Sequence, residues 1–246
     1  MLKNEREREI LRMIDNGGGF ATVRGLCEAL FASESSIRRD LRALEARGLI
    51  RRSHGGAERN VNPSGGIAFA SRTVQNVEGK RAIAQIAKRL VKNGDIVFLD
   101  QSSSAFYLAA ELAENRTLTF VTNNVQILSL LAESSAKVYG SGGMLCPENR
   151  TCLIGEDAAA TFSRMHADIA FFSARSLSEE GVISDLSREE VLVREAMIKN
   201  AEKTVFLCNL SKRGTRSAYV QCRLSEVDII VHENGAFDKD GKPLDF

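Results

Sequence analysis

Apolar positions recur at helical spacing early in the chain and in strand-length runs further on. Ile10, Leu11 and Ile14 give a helix over about Asn4–Asp15 one inward face, and Gly17-Gly18-Gly19 ends it. Val23, Leu26, Cys27 and Leu30 then fall at i, i+3, i+4 and i+7, one face of a second helix. Thr22 stands before it as an N-cap, its hydroxyl able to accept from a first-turn amide. Phe31-Ala32 makes a short turn, and Ser33 caps a third helix that runs to about Arg47 and stops at Gly48. At about 100° per residue, Ile37, Leu41 and Leu44 cluster on one side of this helix. Ser35, Arg39, Arg42 and Ala46 lie opposite, with Ser36 and Arg38 on the flanks. The segment Leu49 to Ala57 is a short apolar-basic strand running into Gly55-Gly56, which predicts a hairpin.

Pro63, Gly65 and Gly66 break the periodicity and mark a linker, placed at residues 59–77 between a unit at 1–58 and a unit at 78–246. Beyond it, strand-length apolar runs alternate with helical periods, the signature of a largely parallel α/β sheet. Ile83, Ile86, Ala87 and Leu90 form the inner face of a helix over Glu78–Val91. Ile96 to Leu99 is a buried-strand run ending at Asp100, and Gln101-Ser102-Ser103-Ser104 leads into a helix from Ala105 to about Glu114. Strands over Leu118–Val121, Lys137–Tyr139 and Thr204–Cys208 run into Thr122-Asn123-Asn124, Gly140-Ser141-Gly142-Gly143 and Asn209-Leu210-Ser211-Lys212. A helix over Arg188–Asn200 has Val193, Ala196 and Met197 on its apolar face, and its Glu190 and Arg194 read as an ordinary surface ion pair. Phe98, Phe106, Phe171, Phe172 and Phe206 read as core.

Apolar residues make up 43% of the 246, enough for a sizeable core, and no run reaches the length of a membrane helix. No apolar segment follows the polar N-terminal stretch as in a secretory leader. Five cysteines (27, 146, 152, 208 and 222) without a C-x-x-C spacing point to reduced thiols and a cytoplasmic location. With three dispersed histidines they argue against a metal site, and no cofactor is expected.

Net charge is +1, but residues 1–60 hold 12 Lys+Arg against 9 Asp+Glu. Seven arginines lie between Arg38 and Arg59, a footprint suited to phosphate backbones. A basic, hydroxylic outer face with little bulk suits a helix lying in the DNA major groove. Ser35, Ser36, Arg38, Arg39 and Arg42 are the candidate readers, and Arg51, Arg52 and His54 of the hairpin would touch the backbone or minor groove. The first unit thus reads as a winged helix-turn-helix. In the second, free amides and three hydroxyls after the first strand form a natural phosphate cradle. Candidate ligand residues are Asp100, Ser102, Ser103, Ser104, Thr122, Asn123, Gly142, Gly143 and Lys212, all at the ends of strands.

Ser35-Ser36-Ile37-Arg38-Arg39-Asp40-Leu41, Leu44-Glu45-x-x-Gly48 and Arg52-x-His54-Gly55-Gly56-Ala57 resemble the DNA-binding domain of DeoR-type bacterial transcriptional regulators. Glu78-x-Lys80-x-x-Ile83-Ala84, Asp100-x-Ser102-Ser103-Ser104, Gly142-Gly143, Glu190-x-x-x-Arg194 and Ser211-Lys212 resemble the effector domain of the same family. The resemblance implies a Rossmann-like effector domain similar to ribose-5-phosphate isomerase. It further implies a repressor that binds operator DNA and a homo-oligomer, dimer or tetramer. Its effector would be a phosphorylated sugar, with Asp100 meeting sugar hydroxyls, Ser102–Ser104 the phosphate and Lys212 nearby. The chain departs from the family pattern in several places: Ser102 and Ser173 stand where it commonly has Gly, Ser103 and Ser104 where it has Thr, Asn209-Leu210 where it has Asp-Ser, and Arg194 where it more often has Lys. The alternative is a sugar-phosphate isomerase-like enzyme with a fused helical domain and Asp100 as general base.

Overall fold

The computed structural model describes residues 3–16, 20–46, 49–53, 55–59, 69–147 and 149–244. The chain divides into two compact units, Met1–Val74 and Gln75–Phe246.

The first unit contains α1 (Lys3–Asn16), β1 (Phe20–Thr22), α2 (Val23–Leu30), α3 (Glu34–Ala46), β2 (Ile50–Ser53), β3 (Gly56–Arg59) and α4 (Phe69–Val74). Ile10, Ile14, Leu26, Ile37, Leu41 and Leu44 are buried in one cluster with Leu49, Ile50 and Ala57 of the hairpin. The helical periods therefore face a shared core, and the hairpin closes it. Thr22 accepts from the Gly25 amide at 3.0 Å, the expected cap. A salt bridge ties α1 to α3: Arg6 Nε donates to the buried Asp40 Oδ2 at 2.6 Å. β3 pairs antiparallel with both β2 and β1, so the wing is a three-stranded sheet rather than a lone hairpin. The helix α4 stands inside the stretch expected as linker. Its Phe69 is buried and carries the Arg72 guanidinium 5.7 Å from its ring centre, packing that a reading of glycines and prolines does not anticipate. Pro63, Gly65 and Gly66 lie outside the described residues, as do Gly17–Gly19, Arg47, Gly48 and His54.

Phe31 closes α2 in the left-handed conformation, φ +49°, with its side chain 97% exposed. This backbone costs a residue with a Cβ about 1–2 kcal/mol. Here no burial offsets that cost, while glycine's larger unfolded-state entropy returns part of it. Phe31→Gly is expected to stabilise the first unit by about 0.5–1 kcal/mol in denaturant unfolding. A loss of stability would mean that the aromatic ring holds the turn.

The second unit opens with α5 (Val77–Ala87), β4 (Ile96–Leu99), α6 (Ser103–Leu112), β5 (Thr119–Thr122), α7 (Val125–Leu131) and β6 (Lys137–Gly140). It continues with β7 (Met144–Leu145), β8 (Leu153–Ile154), α8 (Glu156–Ser163), β9 (Ala167–Phe172), β10 (Ser176–Leu177) and β11 (Val182–Asp185). It ends with α9 (Arg188–Lys199), β12 (Ala201–Leu207), β13 (Tyr219–Arg223), β14 (Ile229–His232) and β15 (Gly235–Asp238). Seven strands form the main sheet in the order β15-β14-β12-β9-β4-β5-β6, all parallel except β15. Val97 and Leu99 pack with α5, α6 and α7 on one face. Phe98, between them, points to the other face, against Phe162 of α8 and Val193 and Met197 of α9. Alternation along the strand thus buries both faces. The short helices α7 and α8 fall outside the elements expected from periodicity, because seven or eight residues give too few turns to show it.

Strand order fixes where a ligand can bind. From β4 the chain moves through β5 to β6, then returns to the far side of β4 for β9 and continues to β12. The switch point is the gap between the C-terminal ends of β4 and β9, the usual binding crevice of an open α/β sheet.

Candidate DNA-reading face and sensing site

Ser35, Arg38, Arg39 and Arg42 of α3 are exposed, and Ser36 is half-buried. The arginines differ in how far they are already engaged. Arg38 donates to Glu34 Oε1 at 2.7 Å one turn back. Arg52 of the wing is clamped to α3, its amide reaching Glu45 Oε1 at 3.0 Å and its Nε reaching Oε2 at 2.5 Å. Those bonds, the amide first, hold the Glu45 carboxyl below the usual glutamate range. Arg51 lies 4.0 Å from Glu58 across the hairpin. Among the described residues, Arg39 and Arg42 are in no ion pair, which leaves them the most available cations on the helix. Ser33 Oγ bonds both Ser35 Oγ (3.1 Å) and Ser36 Oγ (2.9 Å), grouping three hydroxyls at the N-terminus of α3.

In the second unit the switch point is filled by a hydrogen-bonded chain of polar side chains. Asp100, at the end of β4, is fully buried. Its Oδ1 accepts from the Ser102 amide at 3.0 Å, and its Oδ2 from the Ser173 amide, just past β9, at 3.1 Å. Arg194 Nε lies 3.2 Å from the same Oδ2, an ionic contact without hydrogen-bond alignment. The Arg194 fork then reaches Gln221 Oε1 at 3.0 Å and Asp185 Oδ2 at 2.7 Å, and its Nη2 lies 3.3 Å from Glu190 Oε2. Gln101 joins Glu190 (3.0 Å) to Asn123 (3.2 Å). Lys212 Nζ donates to Ser173 Oγ at 2.7 Å, and that hydroxyl donates to the Leu207 carbonyl.

Burial sets the electrostatics. It pushes the Asp100 carboxyl above its ordinary value, more than Arg194, Ser102 and Ser173 bring it down. Burial also opposes the Arg194 charge, but Asp185, Asp100 and Glu190 together outweigh it and hold that guanidinium above its ordinary value.

The Glu190–Arg194 pair is therefore not the ordinary surface pair expected from its spacing: Arg194 is 1% exposed and Glu190 7%. The signal was present in the sequence. Glu190, Val193, Arg194 and Met197 stand at i, i+3, i+4 and i+7, so both charges lie on the apolar stripe. Asp185 and Gln221 are further members that carry no sequence mark of their own, and Gln101 and Ser173 join from the loops after β4 and β9.

Of the candidate ligand residues, Asp100, Ser102, Asn123 and Lys212 belong to this network. Ser102 also caps α6, accepting from the Ala105 amide at 3.0 Å, and Ser103 and Ser104 are buried in the first turn. Thr122 Oγ1 accepts from the Asn124 amide at 3.1 Å and turns the loop after β5. Gly142 and Gly143 are exposed, and the Gly142 amide donates to Thr161 Oγ1 at 3.3 Å. Gly143 has a local reason to be glycine: at φ +107° its Cβ would collide with the Ile154 carbonyl.

Several buried polar atoms have no hydrogen-bond partner among the described residues. They include Ser104 Oγ after β4, Asn123 Oδ1 after β5, Ser141 Oγ after β6 and Asn209 Nδ2 after β12. All four follow the C-terminal ends of parallel strands, on one edge of the sheet. No helix among the described residues is long and apolar enough to cross a membrane.

A winged helix-turn-helix with open arginines, joined in one chain to a doubly wound sheet with a polar strand edge, is the build of a one-component transcriptional regulator. Residues 6–62 match the DeoR-like helix-turn-helix domain, and residues 75–234 match the DeoR C terminal sensor domain. The chain belongs to the DeoR family. It is 34% identical over 242 residues to the HTH-type transcriptional regulator GlpR of Haloferax volcanii, covering 98% of this chain and 94% of that protein. It is 32% identical over 235 residues to the regulator GolR of Listeria innocua (95% and 92%). It is 27% identical over 235 residues to the lactose phosphotransferase system repressor of Staphylococcus aureus (94% and 92%). Among solved structures, ribose 5-phosphate isomerase a from Methanocaldococcus jannaschii is similar at 20% identity and a TM-score of 0.43, over 56% of this chain and 55% of that one. The chain is a regulator and not an enzyme, as its family domains and curated relatives are.

Proposed function

We propose that the chain represses a sugar-catabolism operon in the cytoplasm, as a dimer or tetramer released or engaged by a phosphorylated sugar. The observation that carries the ligand reading is the row of buried, unpartnered polar atoms at Ser104, Asn123, Ser141 and Asn209. It mixes hydroxyls, an acceptor and a donor, the complement a polyhydroxylated ligand needs. The first turn of α6 supplies amides for a phosphate, and Lys212 supplies the nearby positive charge. Asp100 has both oxygens occupied by backbone amides, so its role is to shape the loops at Ser102 and Ser173. Relatives named as sugar-system repressors support the choice of operon class.

Thermal unfolding against a panel of sugar phosphates tests the sensing half. A ligand at 100 times its Kd adds about 2.7 kcal/mol to the folded state. A panel with no selective shift would overturn the reading. For the DNA half, Arg39→Ala is expected to weaken operator binding by about 1–3 kcal/mol and relax preference at one base position. An unchanged gel shift would remove Arg39 from the reading face.

A further inference from the structure

The hairpin of β7 and β8 pairs Met144 with Ile154 and Leu145 with Leu153. One step further, the register sets Cys146 opposite Cys152, and the Cys146 amide donates to the Cys152 carbonyl at 2.8 Å. Side chains of directly opposed residues leave the ladder on one face. Accordingly Cys146, Cys152 and Ile154 form a small buried cluster of their own. The Cys152 amide turns to the Asn149 carbonyl at 2.8 Å, so the pair makes one of the two bonds of a ladder rung; a rung sets Cα atoms about 5.5 Å apart, within the roughly 4.4–6.8 Å that a disulfide spans. Both residues are thiols in the structure.

This pair adjoins the sensing site. Asn123 Nδ2 donates to Cys152 Sγ at 3.5 Å and to the Leu153 carbonyl at 3.0 Å. Asn149, between the two cysteines, donates to Glu190 Oε1 at 3.2 Å. The Thr151 carbonyl accepts from the Val125 amide at 2.9 Å, fastening the same segment to the start of α7.

We propose that Cys146 and Cys152 are a reversible disulfide site whose closure fixes the 146–152 segment against the sensing site. The oxidant is a peroxide. One thiolate attacks the peroxide O–O bond, giving a sulfenic acid and water. The second sulfur displaces the sulfenic oxygen as a further water. Two thiols and one hydrogen peroxide thus become one disulfide and two waters, and a dithiol reductant reverses the change. Pro147 and Arg150 beside them are exposed, while Cys146 and Cys152 are 1% and 0% exposed, so the peroxide reaches them through local opening. Closure draws Cys152 Sγ away from Asn123, which alters a group with an unpartnered buried oxygen. This last consequence rests on the sensing site proposed above; the disulfide itself does not.

The test uses the intact chain. Treatment with hydrogen peroxide should lower its mass by about 2 Da, restored by dithiothreitol. Peptide mapping should find Cys146 joined to Cys152. Trypsin cleavage after Arg150 should leave the fragments joined on a non-reducing gel for the oxidised protein and separated for the reduced one. Cys146→Ser should abolish the link, and the mapping on the unmutated protein stands even if that variant folds poorly. Absence of the link, or a link through Cys27, Cys208 or Cys222 instead, overturns the proposal. Inorganic phosphate is the probe for the sensing site: oxidation should change the thermal shift that it produces in the reduced protein. An equal shift in both forms overturns the coupling to the site. No shift in the reduced protein counts against the sensing reading and leaves the disulfide standing on its own measurements.

Discussion

Replacing Arg194 by methionine is expected to lower stability by about 3–5 kcal/mol at neutral pH, the usual cost of leaving a buried charge without its partner. Methionine fills much of the space of the side chain, so packing alone does not account for a loss of this size. Asp100, Asp185 and Glu190 all face the guanidinium. Without it the buried Asp100 carboxyl, already held above its ordinary value by burial, rises further above that of the unfolded chain. The folded form then binds more protons, and stability falls as pH rises through the unfolded values toward the folded ones. The deficit should therefore be smaller near about pH 5 than near about pH 8. Urea unfolding at the two pH values measures it. A deficit below about 1 kcal/mol at the higher pH would mean that the pair behaves as an exposed one. Arg194→Lys keeps the charge but loses the planar fork that reaches Gln221 and Asp185 together, and should fall between the two.

Lys212→Met is expected to weaken sugar-phosphate binding by about 10–100-fold, the range of one charged hydrogen bond, and to leave ligand-free operator binding unchanged. Lys212 Nζ rests on Ser173 Oγ, so its ammonium is held beside the switch point rather than waving in solvent. Isothermal calorimetry with the ligand found in the panel, paired with a gel shift without ligand, separates the two functions. Equal affinity for the ligand in the variant would place the phosphate elsewhere along the strand edge. Loss of DNA binding in the absence of ligand would show that Lys212 supports the fold instead.

Much of this molecule could be read from local pattern. Thr22 caps its helix as expected. Ile37, Leu41 and Leu44 face the core, and Ile96 to Leu99 ends in Asp100 at a strand edge. Each depends on neighbours within one or two turns, where periodicity and capping chemistry act. Spacing places Glu190 and Arg194 on the apolar stripe of α9, but which groups converge on that stripe is set by distant segments. Asp100 and Arg194 are 94 positions apart in the sequence and 3.2 Å apart in space.

The sequence by itself determined the two-part organisation of helical head and α/β unit, the basic outer face of α3, and the hydroxyl-rich loops after the strands. These follow from short-range rules: apolar spacing, turn residues and the amides left open at helix starts. Only the tertiary structure decided that β9 returns beside β4, so that the Ser173 amide meets Asp100 and the Ser173 hydroxyl meets Lys212. It alone decided which arginines of the head are engaged and which stay open. Strand order and charge pairing are settled by the packing of distant segments, where burial turns a modest surface ion pair into the balance of a whole site.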